Sequence, residues 1–442
     1  MRRRTLAVLT SLALIAVAWT AASPPAAAEN RVTPGSFTGF GFDQCDAPTQ
    51  QKMDRWLTHS PFTGVGIYIS GKSRACREQP NLTPTWVRTQ LKRGWRLLPI
   101  ALGPQAGCHP KYPRHGDDPK IDQSPGADGG YRKARRMGAE EATRTVRDAE
   151  RLGIAKRSTL WYDLEGFDIT NRHCRESALR FLSSWVSNVK RLGYATGVYS
   201  SASSGIKMLD DARIKQTPGI VLPGYIWIAR WDGKANTSTS HISEKGWRPG
   251  RRMKQYLGPH DATHGGVTIN IDRNFLDLGR GSVAPAEPKH CGGVKINWWV
   301  YPTLAAGERD EPGKVRALQC LLREKKLYDG RLHGVYNRTT ISAARAWQKR
   351  VGMTPTATWN HRHWMSLLAS GRWQILKYGS AGAPVRRLQR TLNAAGAGEL
   401  DITGVFTSPT MHALRRWQKR VGQPTTGTAY NQTWSLLVRG RS

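Results

Sequence analysis

The chain is 442 residues long and 39% hydrophobic, with 17 Trp, 13 Tyr and 8 Phe. That leaves room for about three domains of ~100–200 residues, and enough apolar bulk to exclude a wholly disordered chain. Lys and Arg number 67 against 32 Asp and Glu, a net charge of +35; such a field favours polyanions, or serves only to keep the surface soluble.

The first element is a targeting segment. Arg2, Arg3 and Arg4 precede an apolar run over 6–19, and Ala26-Ala27-Ala28 stands before Glu29. A basic stretch, a short apolar stretch and a small-residue site describe a cleaved secretory signal over 1–28. No later stretch approaches the ~18 uninterrupted apolar residues of a membrane span, so an exported, soluble protein is expected. Export makes an anionic cell-wall polymer the better partner and nucleic acid the poorer one.

Residues 36–280 alternate apolar runs with amphipathic helices. Strands are expected at 39–42, 64–69, 97–102, 159–162, 195–199, 225–229, 253–256 and 267–271, short continuous apolar runs of the kind buried parallel strands produce. Met53, Trp56 and Leu57 share one helix face, Thr83-Pro84 reads as an N-cap followed by a first-turn proline, and Leu179, Leu182, Trp185, Val186 and Val189 mark a third helix. Later strands have little helix between them, since 234–250 reads as polar loop and 257–266 as a loop bearing Gly and His. The expected class is therefore α/β, a TIM-like barrel of five βα units plus three strands. A doubly wound open sheet is the alternative.

Chemistry in such barrels gathers where strands end at their C-terminal face. Those ends carry Asp43, Asp163, Glu165 and Asp272. Asp163 and Glu165 are two residues apart, so they share a strand face at roughly 7 Å. Facing carboxyls in a buried site push their pKa values apart, leaving one protonated as acid and another ionised, as glycosidic cleavage requires. A single strand-end Asp is more often a cap or turn residue; four of them weaken that alternative. Tyr68, Tyr199, Trp227, Trp231 and Tyr256 could wall a sugar site, although Trp227 and Tyr199 suit core packing equally well. His260 and His264 lack a companion acid, and no P-loop or G-x-S-x-G occurs, so neither metal nor cofactor is expected.

The segments G-F-D, Y-D-L-E, G-V-Y-S-S, I-W-I-A-R-W, Q-Y-L-G and G-V-T-I-N-I-D-R-N-F-L-D follow the order of strand-end motifs in family 25 glycoside hydrolases, the muramidases. The fuller resemblance is to the Rv2525c-like glycoside-hydrolase-like domain of unknown function 1906, through G-F-D-Q-C-D-A-P, G-I-Y-I-S-G, N-L-T-P-T-W-V and L-G-P-Q-A. It implies Glu165 as general acid, Asp163 as its electrostatic partner or base, and Asp43 and Asp272 as orienting carboxylates. Gln105 and Gln255, within matched motifs, join the substrate-binding candidates. Departures from the muramidases are four cysteines and an insert over 108–131. Six cysteines allow 15 pairings, and none forms C-x-x-C, so disulfides are expected rather than zinc. Neighbouring strands bring their following loops together, favouring Cys45–Cys76 and Cys108–Cys174. Cys291 and Cys320 fall beyond the barrel and pair most simply with each other.

A linker over 281–290 reads as a hinge. Beyond it an ungapped 70-residue repeat joins 291–371 to 372–442: Leu318-Gln319 recurs as Leu388-Gln389, and W-Q-K-R-V-G at 347 recurs at 417. Two copies indicate tandem domains rather than a solenoid, each a small all-α three-helix module. The outline V-x-x-L-Q, G-V-aromatic, W-Q and W-x-x-L resembles the peptidoglycan-binding-like domain, with Trp347 and Trp417 expected in the cores. The combined expectation is a secreted, monomeric, wall-associated peptidoglycan hydrolase, or else a non-catalytic glycan-binding scaffold.

Overall fold

A computed structural model describes residues 30–442 except Glu308; the expected signal over 1–28 lies outside the described residues. Strands β1 (Phe37–Asp43), β2 (Gly64–Ser70), β3 (Arg96–Ala101), β4 (Thr159–Asp163), β5 (Ala195–Ser201), β6 (Tyr225–Ala229), β7 (Arg251–His264) and β8 (Val267–Leu278) close into a barrel in sequence order. Closure decides against the open doubly wound sheet. Helices α1 (Gln50–His59), α2 (Pro84–Arg93), α3 (Arg132–Arg151), α4 (Arg172–Arg191) and α5 (Gly205–Ile214) follow the first five strands.

Local chemistry explains these elements. The Thr83 side chain accepts from the Trp86 N–H with Pro84 in the first turn of α2, and Asn171 caps α4 through the Cys174 N–H. The expected apolar faces of α1 and α4 are buried against the sheet, as are Trp86, Val87 and Leu91 of α2. Inside the barrel Leu98, Ile100, Trp161, Trp227, Met253 and Leu276 form a separate plug. Gly197 makes room for it, because a Cβ there would lie 2.1 Å from the Trp161 ring.

Two expectations about the last strands change. Residues 257–264 are not loop: β7 continues to His264 and turns at Gly265-Gly266, both at positive φ, into β8. Irregular register at Gln255–Leu257 and Leu257–His260 breaks the two-residue alternation that would have revealed the strand. In consequence β8 runs antiparallel to both β7 and β1.

Helices α6 (Pro312–Glu324), α7 (Arg338–Arg350) and α8 (His361–Ala369) form the first repeat; α9 (Ala383–Ala394), α10 (Ser408–Arg420) and α11 (Asn431–Val438) form the second. The repeated L-Q and G-V motifs have one cause. In the first copy Gln319 accepts from the Gly334 N–H at 3.1 Å and donates to Val335 O at 3.2 Å. In the second, Gln389 does the same with Gly404 at 2.9 Å and Val405 at 3.2 Å. Trp347 and Trp417 are buried as expected, and the two copies share a single apolar core.

The segment read as a hinge is pinned on both sides. Ser282 donates to Thr38 O and Gly379 O, while Arg386 and Arg390 of α9 hold Pro285 O and Glu287. The second repeat also plugs the barrel base: Lys377 is buried and donates to Ser60 O (3.2 Å) and Phe62 O (2.7 Å). Disulfides join Cys45–Cys76, Cys108–Cys174 and Cys291–Cys320. Among the described residues no helix is long and apolar enough to cross a membrane.

Candidate active site

The barrel mouth opens into a cleft of about 640 Å³, lined by Asp43, Tyr68, Glu165, Tyr199, Trp231, Gln255 and Asp272 among others. A second lobe of about 290 Å³ adjoins it and shares Asp43, Tyr68, Arg114, Glu165 and Asp272. The acids therefore stand at the waist between two lobes. Asp43 ends β1 and Asp163 ends β4, but Asp272 is not at the end of its strand. It reaches the mouth because β8 runs backward, setting Asp272 opposite Asp43 in register.

Asp43 is buried and held by donors: Asn274 Nδ2 at 2.6 Å and Gln255 Nε2 at 3.2 Å. Gln255 is oriented to donate because its Oε1 already accepts from Tyr199 OH at 3.0 Å and Trp231 Nε1 at 2.9 Å. Asn274 is fixed likewise by Trp227 Nε1 at 2.8 Å. Burial nevertheless outweighs these donors and raises Asp43 to about 6, while burial and the neighbouring Asp43 raise Asp272 to about 8. Between those values the pair holds one proton, mainly on Asp272.

Burial also raises Asp163, with Glu165 and Asp43 adding to the shift; its Oδ2 accepts from Tyr68 OH at 3.4 Å and its Oδ1 has no partner. Its side chain lies behind the cleft lining. Glu165 is partly exposed in the waist. Burial raises it, and Arg114, 3.7 Å away, with Lys111 opposes the rise.

Three residues expected to touch substrate lie elsewhere. Gln105 is fully buried; it donates to Asp163 O at 2.9 Å and accepts from the Glu165 N–H at 2.9 Å, bracing the backbone between the two acids. Trp227 belongs to the barrel plug, with its polar edge spent on Asn274. Tyr256 is buried on the other face of β7, beside Arg273, because its neighbour Gln255 points inward. Sequence reasoning missed Asn274, although it stands two residues after Asp272 and so shares its face. It also missed His109, Lys111 and Arg114, which the 108–131 insert carries into the cleft from the Cys108–Cys174 staple.

Among solved structures the chain is similar to the Mycobacterium tuberculosis Tat-secreted protein Rv2525c in complex with L-tartrate, at 15% identity and TM-score 0.37, covering 55% of this chain and 98% of that one. It is also similar to a family 25 glycosyl hydrolase from Bacillus anthracis, at 15% identity and TM-score 0.34, covering 54% and 89%. A third is the modular Cpl-1 endolysin complexed with a peptidoglycan analogue, at 16% identity and TM-score 0.30, covering 63% and 67%. No curated protein matches. Residues 381–437, within the second repeat, match the model of a peptidoglycan binding domain. With residues 54–276, half of its length, matching the model of the Rv2525c-like, glycoside hydrolase-like domain, the chain belongs to that family.

Proposed function

We propose that the protein is a secreted, wall-associated glycan hydrolase that cleaves peptidoglycan by muramidase-like acid catalysis. One observation carries this reading: three carboxyls with raised proton affinity, Asp43, Glu165 and Asp272, line the waist of a two-lobed cleft, with Asp163 buried behind them. A polysaccharide crossing both lobes would set a glycosidic bond over Glu165, the most accessible of them. Glu165 protonates the leaving oxygen as the glycosidic bond breaks, and a water then adds to the ring carbon, its proton returning to Glu165. Asp43, the acid best supplied with donors, remains ionised and faces the positive charge that develops on the ring, the part the resemblance gave to Asp163, whose side chain is buried behind the lining. Asp163 and Asp272 keep their protons and so spare Asp43 a second neighbouring charge. In this reading 36–280 is the catalytic unit, 281–290 a linker, and 291–371 and 372–442 are wall-targeting modules on a monomer exported by the signal over 1–28.

The test is release of new reducing ends from purified peptidoglycan, abolished in Glu165→Gln with melting temperature preserved. A second reading is favoured by Arg114, whose charge opposes the burial-driven rise in the proton affinity of Glu165: a cleft that binds glycan without cutting it. Wild-type protein that binds soluble fragments yet releases no ends would establish that reading instead.

A further inference from the structure

The two repeats differ in the turn after their first helices. After its first helix the first copy runs Lys325-Lys326-Leu327-Tyr328; the second runs Ala395-Gly396-Ala397-Gly398. Tyr328 is buried, its hydroxyl donating to Arg331 O at 2.7 Å, so it plugs its own loop. Gly398 leaves that place open. The facing helix changes in step, with Ala346 of α7 replaced by Arg416 of α10. A Cβ at Gly398 would lie 3.0 Å from Arg416 Nη2, so the glycine makes room for the cation.

The consequence is a groove of about 620 Å³ to which both copies contribute. Trp299 and Tyr301 of the segment before α6, His361 of α8, and Arg416 and Arg420 of α10 line it, with Glu399 the one carboxylate among the lining residues. It runs on into a basic recess of about 480 Å³ that adds Lys419. Trp299 is 59% exposed, its indole N–H anchored on Asp401 at 3.2 Å. Among the described residues Arg416, Lys419 and Arg420 have no carboxylate within ion-pair distance; Arg416 is oriented by donating to Ala397 O at 2.8 Å. An exposed indole plate suits the apolar face of a sugar ring, and unpaired guanidiniums beside it suit carboxylate or phosphate.

We propose that this composite groove is the binding site for an anionic glycan, with Trp299 beneath a sugar ring and Arg416, Lys419 and Arg420 on its acidic groups. The ligand class rests on the wall-glycan reading above, while the site does not depend on whether the barrel cuts. Repeat symmetry supplies the control: Lys419 and Lys349 are exposed counterparts in the shared W-Q-K-R-V-G segment, and Lys349 does not line the groove.

The full-length protein is titrated onto insoluble purified peptidoglycan, and onto the same material still carrying its phosphate-rich polymers, with melting temperature as the folding check. Trp299→Ala, Lys419→Glu and the notch-filling Gly398→Tyr should each weaken retention at least fivefold, and Lys349→Glu less than twofold. Losses on both materials identify carboxylates as the recognised groups; losses only on the second identify phosphates. Equal losses for Lys349→Glu and Lys419→Glu, or unchanged retention of Trp299→Ala, would overturn the site in favour of diffuse charge attraction. Cleavage of soluble fragments, read in parallel, should be unaffected by the groove variants, so failure of the hydrolase reading is recorded separately.

Discussion

The two ends of the barrel bury ionisable groups in opposite ways. At the mouth, four carboxyls crowd together and burial raises their proton affinity; at the base, Lys377 sits against Ser60 O, Phe62 O and the Trp95 ring, near His59 and His264, and burial lowers it to about 7. Desolvation dominates both. The mouth stays open to a cleft of about 640 Å³, whereas the second repeat seals the base. A perturbed group becomes chemistry only where a substrate can reach it. Behind an interface it becomes a term in docking.

The sharpest way to break this contrast is Glu165→Gln, which keeps shape and removes the donated proton. Turnover on peptidoglycan fragments should fall by ~10²–10⁴-fold, the usual range for a general acid, with melting temperature within a degree or two of wild type. Wild-type turnover in this variant would remove the mouth from catalysis altogether.

Next in size is the staple that builds the cleft wall. Removing Cys108–Cys174 by paired Cys→Ala substitution should cost about 2–4 kcal/mol, since the bond closes a long loop. KM should rise more than kcat falls, because His109, Lys111 and Arg114 lose their position while Glu165 keeps its brace from Gln105. Denaturant titration and steady-state kinetics separate the two effects.

The pH dependences of stability should have opposite signs at the two ends. Asp272 binds its proton more tightly folded (about 8) than unfolded, so its contribution is full in acid and declines as pH rises toward 8. Asp272→Asn should flatten that decline in melting temperature between pH 5 and 8. Lys377 binds its proton less tightly folded, so between about 7 and its ordinary value near 10.5 stability should rise with pH. The smallest expected effect is loss of that rise in Lys377→Met. Its overall stability should change little, because the removed desolvation cost offsets the donor lost to Phe62 O. A rising slope that survives Lys377→Met would assign it to another group.

Much of this was legible in the chain itself. Five strand–helix units, the Thr83 N-cap, the repeat and all three disulfide pairs followed from periodicity, spacing and neighbouring strands, since those signals are local or depend only on strand order. Asp43, Asp163 and Glu165 were legible because β1 and β4 end at or just before them, although β4 stops at Asp163 and so Glu165 does not share a strand face with it. What escaped depended on register: the β7–β8 hairpin hidden by its irregularities, the backward run that makes Asp272 a mid-strand residue, and Asn274 beside it.

The amino-acid sequence by itself determined the alternation of strands and helices, the tandem helical modules and which residue types meet at the mouth, because burial of alternating and helical apolar patterns leaves few other solutions; closure of the strands into a barrel rather than an open sheet was decided by the tertiary structure. Only the tertiary structure decided which of those residues face a ligand. Gln105, Trp227 and Tyr256 point into protein, the 108–131 insert turns cations into the cleft, and Lys377 closes the base. A side chain's direction and solvent access are set by closure of the sheet and docking of distant segments, which no local pattern records.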